Sequence, residues 1–403
     1  EEESTRRHPD LPDSVFPDQQ SDHGPKEMMA PGDEWLNYLG DEGASQTVAH
    51  VIPEDEDLHL KTTQADFLAW HYRLGHLSFQ KIRQMASRGD LPAAFRDCRI
   101  PKCAACIFGK ARKRAWRSKA PVNRMKTPPV TAPGSVVAIN QMISAVPGFI
   151  AQMRGFITGK RYKVITVFVD QFSDLSFVYT QKSTTAEETV QAKEAFERFA
   201  KAHQVVINHY HADNGIFAEA EFLRAIEKAN QTISFCGVNA HHMNGHAEKR
   251  IRDLQENARS MLLHAKRRWP SAVTVNLWPY AVRMANDVHN FAPSIKEGIS
   301  PIERFSQVQV SPKVRHSHTF GCPVYVLDGR LQAGKRLPKW NNRARIGLFL
   351  GWSPRHSRKV ALILNLITGH VSPQFHVEFD DMFETMRPSA GNSPPLSTWQ
   401  QKA

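Results

Sequence analysis

Apolar positions recur along the chain in several rhythms, and each predicts a different kind of structure. From residue 67 to residue 85 they return at helical spacing. Three runs rich in β-branched and aromatic residues, at 136–139, 162–169 and 175–180, predict strands. A helix follows, opened by a capping box at Thr184 and Glu187 and carrying apolar Val190, Phe196 and Phe199. Beyond it the pattern predicts a strand over 205–212, a short helix over 218–229 and a strand over 232–235. A loop rich in Gly, Asn and His leads to a long helix over 247–268, stopped by Pro270, and then to a helix over 278–288. Three consecutive strands followed by alternating helices and strands predict an α/β unit, a mixed sheet with helices on both faces. From 318 to 384 the rhythm changes again. Runs at 323–327, 345–350, 359–366 and 374–379 lie between Gly and Pro turns and predict a small all-β unit.

The flanking segments have another composition. Residues 1–60 hold sixteen Asp/Glu against three Lys/Arg and are rich in Pro and Ser. They predict an acidic, largely disordered linker with a short ordered stretch near Trp35-Leu36. The Pro- and Ser-rich residues 387–403 predict a disordered tail. Residues 101–127 contain nine Lys/Arg and no acid and read as a basic linker. The 403 residues carry a net charge of +12 despite the acidic leader, so the body is strongly basic. Such a balance points to a polyanionic partner, most simply nucleic acid.

Composition also excludes several classes. The longest apolar stretch, 136–153, is interrupted by Asn140, Gln141, Pro147 and Gly148, so no membrane span is expected. The start has neither a basic segment nor an apolar one, which argues against a secretory signal, and the missing initiator Met points to a piece of a longer chain. Five Cys make no disulfide scaffold. A P-loop, a Gly-x-Gly-x-x-Gly turn and a Gly-x-Ser-x-Gly elbow are all lacking from the sequence.

Two groups of residues carry candidate chemistry. His71 and His76 stand about one helical turn apart and are followed by Cys103-x2-Cys106. Two imidazoles and two thiolates complete a closed tetrahedral set with no open position, the pattern of a structural zinc site. Cys98 is an alternative thiol without the two-residue spacing. The second group is Asp213, ending a predicted strand, and Glu248, near the start of the long helix. Hard carboxylates facing one another suit Mg²⁺ or Mn²⁺ in phosphoryl transfer. His209 and His211 alternate onto the same strand face as Asp213; a packed or exposed histidine is the simpler reading of each.

At about 100° per residue, Ile251, Leu254, Ala258, Met261 and Ala265 form the core stripe of the long helix. Glu248, Arg252, Gln255, Arg259 and Lys266 share an adjacent face, which suits contact with a DNA backbone beside the metal. Arg112, Lys113, Arg114 and Arg117, with Trp116 among them, read as phosphate contacts or equally as a nuclear-import signal. Trp352 with Arg355, Arg358 and Lys359 forms a further candidate contact, and the loop 237–245 is expected to order on DNA.

These blocks occur in a characteristic order. His-x-Arg-Leu-Gly-His at 71–76, Cys103-x2-Cys106 with Gly109-Lys110, His-Ala-Asp-Asn-Gly ending at Gly215 and Asn-Gly-x-Ala-Glu ending at Glu248 resemble integrases of copia-type LTR retrotransposons. Phe320-Gly321-Cys322-Pro323, Phe349-Leu350-Gly351 and the stretch from Val371 to Phe379 resemble the β domain downstream in that family. The likeness covers roughly residues 65–385. It implies a zinc-binding gag-pre-integrase module at 61–110, a basic linker at 111–130, an RNase H-like catalytic core with a five-stranded sheet at 131–310 and a small β domain at 311–386. It further implies structural Zn²⁺, catalytic Mg²⁺ or Mn²⁺, joining of element DNA ends to target DNA, and multimers acting on paired ends. Synthesis in the cytoplasm within a Gag-Pol polyprotein and action in the nucleus complete the expectation.

One departure bears on activity. The family requires a third acid on the first core strand, after residues 136–139, and this sequence has Asn140 there. An amide offers one neutral oxygen where a carboxylate offers a charged, bridging pair. Asp170, ending the next strand, is the nearest stand-in, although the resemblance makes it structural. The 34 residues between Asp213 and Glu248 are one fewer than the family pattern. The expectation is an integrase impaired in catalysis; the alternative is a non-catalytic protein derived from such an element that binds zinc and nucleic acid.

Overall fold

A computed structural model describes residues 62–113, 129–151, 159–237, 244–310, 313–357 and 359–386. The acidic leader, the tail, Arg114, Trp116, Arg117, Arg358 and most of the loop 237–245 lie outside the described residues.

The first apolar stretch folds as two helices, α1 (Thr63–Arg73) and α2 (Phe79–Arg88). Gly75 and His76 both take left-handed backbone angles, φ 58° and 59°, and this reverses the chain between the helices. His76 therefore sits in the turn and not on a helical face with His71, as its spacing would suggest. A short helix, α3 (Ala104–Gly109), carries Cys106 in its first turn.

The central unit is a five-stranded mixed sheet of order β3-β2-β1-β4-β5, as the α/β reading requires. Its strands are β1 (Val137–Gly148), β2 (Tyr162–Asp170), β3 (Ser176–Gln181), β4 (His209–Ala212) and β5 (Thr232–Phe235). β1 pairs antiparallel with β2 and parallel with β4, and β4 pairs parallel with β5. Helices α4 (Ala186–Ala202) and α5 (Ala220–Lys228) lie on one face. Helices α6 (Gly245–Arg268) and α7 (Trp278–Phe291) lie on the other. The period-two alternation of strands explains the division. Val137 and Ile139 pack toward α4 and α5, whereas Ala138 and Met142 pack toward α6 and α7.

Three local expectations need correction. β1 runs well past residue 139, because Trp278 donates to the carbonyl of Val146 (2.9 Å) and Phe149 N–H to that of Asn276 (2.7 Å), holding its second half extended. The cap of α4 is one residue later than the pattern predicts: Thr185 accepts from Glu188 N–H, and Glu188 turns back to the N–H groups of Lys182 and Ser183. β4 begins only at His209, since Gln204 adopts φ 60° and Val205 N–H is spent on the carbonyl of Ala200.

A short helix, α8 (Pro301–Ser306), with a complete Ser300/Glu303 capping box, precedes the second sheet. Its strands are β6 (Pro323–Leu327), β7 (Ala344–Trp352), β8 (Ala361–Leu364), β9 (Val371–Gln374) and β10 (Val377–Phe379). They form an antiparallel sheet of order β10-β6-β7-β8-β9, with the four-residue helix α9 (Gly329–Gln332) after β6. Phe67 and Ile82 of the first unit, Leu254 and Val288 of the second and Val324 and Leu348 of the third belong to one continuous apolar core. No helix among the described residues is long and apolar enough to cross a membrane.

Candidate functional site

The two histidines and two cysteines converge. One donor atom each from His71, His76, Cys103 and Cys106 lies within 4.8 Å of all the others. His71 Nε2 is 3.2 Å from Cys106 Sγ and 3.2 Å from His76 Nδ1, and His76 Nδ1 is 3.5 Å from both sulfurs. Tetrahedral zinc with Zn–N near 2.0 Å and Zn–S near 2.3 Å needs donors roughly 3.3–3.8 Å apart, so this set fits the ion. His71 Nδ1 donates to the carbonyl of Leu77 (2.7 Å), which leaves Nε2 as the ligand atom. A hydrogen bond with Cys103, helped by the neighbouring imidazoles, holds the Cys106 thiol far below its ordinary range against the effect of burial. Burial lowers His76 to about 4, keeping its ring neutral and able to bind metal. Cys98 is outside the cluster, its thiol directed at the carbonyl of Arg99 (3.5 Å).

This module is docked on α6. Lys110 Nζ donates both to the carbonyl of His76 (2.8 Å) and to Asn257 Oδ1 (2.6 Å). Arg112 forks onto Glu256 through two 2.6 Å bonds, and Arg259 donates to the carbonyl of Gly109 (3.0 Å). The rings of Tyr72 and His264 stack at 4.0 Å. Gly109 permits the approach: a Cβ there would stand 2.6 Å from Ser260 Oγ and 3.2 Å from its backbone. Gly109→Ala is expected to cost about 1–3 kcal/mol in urea unfolding. Adding Ser260→Ala should restore only part of that, because the backbone clash remains.

The carboxylate group forms beside the carboxyl end of β4, where β1 runs on past it. β1 and β4 pair with Ile139 opposite Ala212, so Asn140 and Asp213 are the next residues on adjacent strands. Alternation turns both toward the face covered by α6. Asn244, the residue preceding α6, donates its amide to the carbonyl of Ile139 (2.8 Å), tying the helix start to the strand position before Asn140. Glu248 lies in the first turn of that helix and is exposed. Cys236 N–H donates to Ala212, and burial, with the negative charges of Asp213 and Glu248 adding to it, pushes the Cys236 thiol up.

Asn140 Oδ1 accepts from the N–H of Gln141 (2.8 Å). Asp170 is fully buried, pairs with Val137 at the start of β1, and accepts from Gly134 N–H and from Ser173 N–H and Oγ. At about 3.3 Å per residue it stands roughly 10 Å along the strand from the Asn140 position, a turn-forming residue. His209 and His211 bridge to β5 through Thr232 and Ser234, a polar ladder on the sheet edge.

Along α6, Arg252 is exposed, Gln255 half-buried, and Lys266 donates to the carbonyl of Pro270 (3.1 Å). Lys113 is exposed. Trp352 packs on Phe349 and His318, and Arg355 is exposed nearby. A groove of about 540 Å³ runs between the His/Cys module and the α6–α7 pair, lined by Lys81, Lys110, Lys249, Arg250, Lys296 and Arg304 among others.

Tertiary structure adds a triad that the sequence pattern does not announce, two buried side chains closed by an exposed carboxylate. Arg250 pairs with Asp174 (2.7 Å) and donates to His289 Nδ1 (2.9 Å), whose Nε2–H bonds the carbonyl of Asp174 (2.9 Å). Nothing in the local pattern marks it, because its members lie on α6, α7 and the β2–β3 turn. Burial pushes both His289 and His264 well below the ordinary imidazole range. An unfolded chain would protonate both near pH 6.5. Protons thus favour unfolding: stability is expected to be level above about pH 6.5 and to fall as pH drops below it. Melting curves between pH 7.5 and 5 check this, and His264→Phe, which keeps the stacking on Tyr72, should flatten the slope.

The chain is similar to known proteins over most of its length. Residues 47–111 match the GAG-pre-integrase domain family. The retrovirus-related Pol polyprotein from transposon RE1 of Arabidopsis thaliana is 26% identical over 327 residues, covering 79% of this chain and 20% of its own. That from transposon RE2 of the same plant is 25% identical over the same span. The chain thus spans about a fifth of the length of these relatives. Among solved structures, the HTLV-2 integrase catalytic core domain in complex with magnesium aligns over 43% of this chain and 97% of its own, at 16% identity and TM-score 0.31. A simian T-cell lymphotropic virus intasome in complex with PP2A regulatory subunit B56 gamma aligns over 75% and 98%, at 16% identity and TM-score 0.35. This chain carries a GAG-pre-integrase domain and is, over most of its length, a homologue of the Pol polyproteins of transposons RE1 and RE2.

Proposed function

We propose that the chain is the integrase portion of a copia-type retrotransposon polyprotein, built to join element DNA ends to target DNA and weakened in that reaction by Asn140. The observation that supports this reading is the approach of Asn140, Asp213 and the start of the Glu248 helix beside the carboxyl end of β4, through the β1–β4 register and the Asn244–Ile139 bond. In this reading residues 131–310 are the catalytic unit, residues 61–110 the zinc module and residues 311–386 an accessory β domain.

Asp213 and Glu248 offer hard oxygen donors suited to Mg²⁺ or Mn²⁺, with the Asn140 amide as a neutral third. A divalent ion bound there would polarise the target phosphodiester and stabilise the leaving oxygen. The element's 3′-hydroxyl loses its proton to solvent as it forms a new P–O bond, the target P–O3′ bond breaks, and the released 3′-oxygen takes up a proton from solvent. Asp213 and Glu248 would hold that ion, since anionic carboxylates alone repel a phosphate. Exposed Arg252, with the groove cations Lys249 and Lys81, would hold the DNA backbone. Two DNA ends require at least two copies of the site, so the working form is an oligomer on DNA, acting in the nucleus after release from the polyprotein.

A second reading, a zinc- and nucleic-acid-binding protein without joining activity, is favoured by Asn140 itself. Strand-transfer assays with element-end DNA and Mn²⁺, on the chain as it stands, on Asn140→Asp and on Glu248→Gln, separate the two. Joining that appears with Asn140→Asp and disappears with Glu248→Gln supports the integrase. DNA binding without joining in all three supports the second reading.

A further inference from the structure

The β domain carries a surface feature that the joining chemistry does not use. From residue 329 to residue 377 the sequence holds nine Lys/Arg and no Asp or Glu. Within this span, the segment between α9 and β7 displays Lys335, Arg336, Lys339 and Arg343, all exposed. No hydrogen bond or ion pair engages these four side chains among the described residues. Amid them Trp340 is 95% exposed, the most exposed of the large apolar side chains among the described residues.

The segment is nevertheless held in shape. Asp328 N–H donates to the carbonyl of Arg343 (2.8 Å), Lys335 N–H to that of Arg330 (2.8 Å), and Asn341 N–H to that of Pro338 (3.2 Å). The last bond closes a turn over residues 338–341 and sets Trp340 near its tip. An indole fully in water is an unfavourable use of the largest apolar side chain, and packing within the β domain does not require it. An exposed flat ring on a segment that also displays four unpaired cations matches one ligand chemistry well: a base stacks on the ring while its phosphates meet the charges. A duplex buries its base faces in its own stack, so the ligand must present unpaired bases.

We infer that the Trp340 turn is a binding site for single-stranded nucleic acid, in which an unpaired base stacks on Trp340 and the adjoining phosphates lie against Lys335, Arg336, Lys339 and Arg343. The site is independent of Asn140, Asp213 and Glu248, and it stands whether or not the chain joins DNA.

Fluorescence anisotropy of the full chain with labelled oligo-dT of about twenty nucleotides, and with a blunt duplex of the same length, tests it. Trp340→Ala is expected to weaken oligo-dT binding roughly tenfold and to change duplex binding less than about twofold. Trp340→Phe should keep most of the affinity. Replacing all four cations by Gln should lower the salt slope of oligo-dT binding by about three. Zinc content and melting temperature serve as folding controls, and the exposed Trp340 predicts no change in either. Unchanged oligo-dT affinity in Trp340→Ala overturns the site and leaves the ring to a protein partner. Equal loss on oligo-dT and duplex overturns base stacking. Absence of joining activity in the same preparation bears on the proposed function alone.

Discussion

Asn140→Asp is expected to raise the rate of strand transfer by about a hundredfold or more. The substitution restores a charged, bridging donor beside Asp213, and charge stabilisation by a well-held divalent ion is worth several kcal/mol in the transition state. About 3 kcal/mol corresponds to slightly over two decades in rate. The same change carries a signature in stability. Three acids around one point repel each other, so without divalent ion Asn140→Asp should melt below the parent chain, and Mn²⁺ should raise its melting temperature more than that of the parent. Equal activity in parent and variant would mean that the first carboxylate lies elsewhere. Asp170 is poorly placed to be it, being buried at the Val137 end of β1 and engaged by Gly134 and Ser173.

Cys106→Ser should release the zinc and lower the melting temperature by about 10 °C or more. Structural zinc in small folds contributes on the order of 10 kcal/mol, comparable to the whole stability of an ordinary domain. The loss cannot stay local here. Phe67, Leu74, Ile82 and Met85 of the zinc module share one apolar core with Leu254, Met261 and Val288 of α6 and α7. Metal analysis should find one zinc per parent chain, none in Cys106→Ser and a full equivalent in Cys98→Ser. A full zinc equivalent and an unshifted melting curve in Cys106→Ser would falsify the four-residue site. Loosening of α6 should also reach the Glu248 end, so any joining activity gained with Asn140→Asp is expected to be lost again on adding Cys106→Ser.

Features that depend on short-range periodicity are legible in the amino-acid sequence. The strand over 232–235, the long helix through Leu254 and Ala258, and the β-rich end of the chain follow from alternation and helical spacing, which one segment encodes by itself. The zinc donors are legible for a different reason: only a few residue types bind that ion, and their spacing is short. Boundaries and partners are not. β1 extends past residue 139 because α7 holds it from outside, and His76 joins the His/Cys cluster from a left-handed turn that helical spacing does not describe. Arg259 and Arg112 read as a face open to DNA, yet Arg259 is turned onto Gly109 and Arg112 onto Glu256 once the module docks. The Arg250–Asp174–His289 triad joins the β2–β3 turn to helices that follow it by many tens of residues. The sequence by itself thus determined which segments form strands and helices and which residue types can hold metal, since these rest on local geometry and donor chemistry. Only the tertiary structure decided which cations stay exposed and which strand ends meet, because long-range packing sets both.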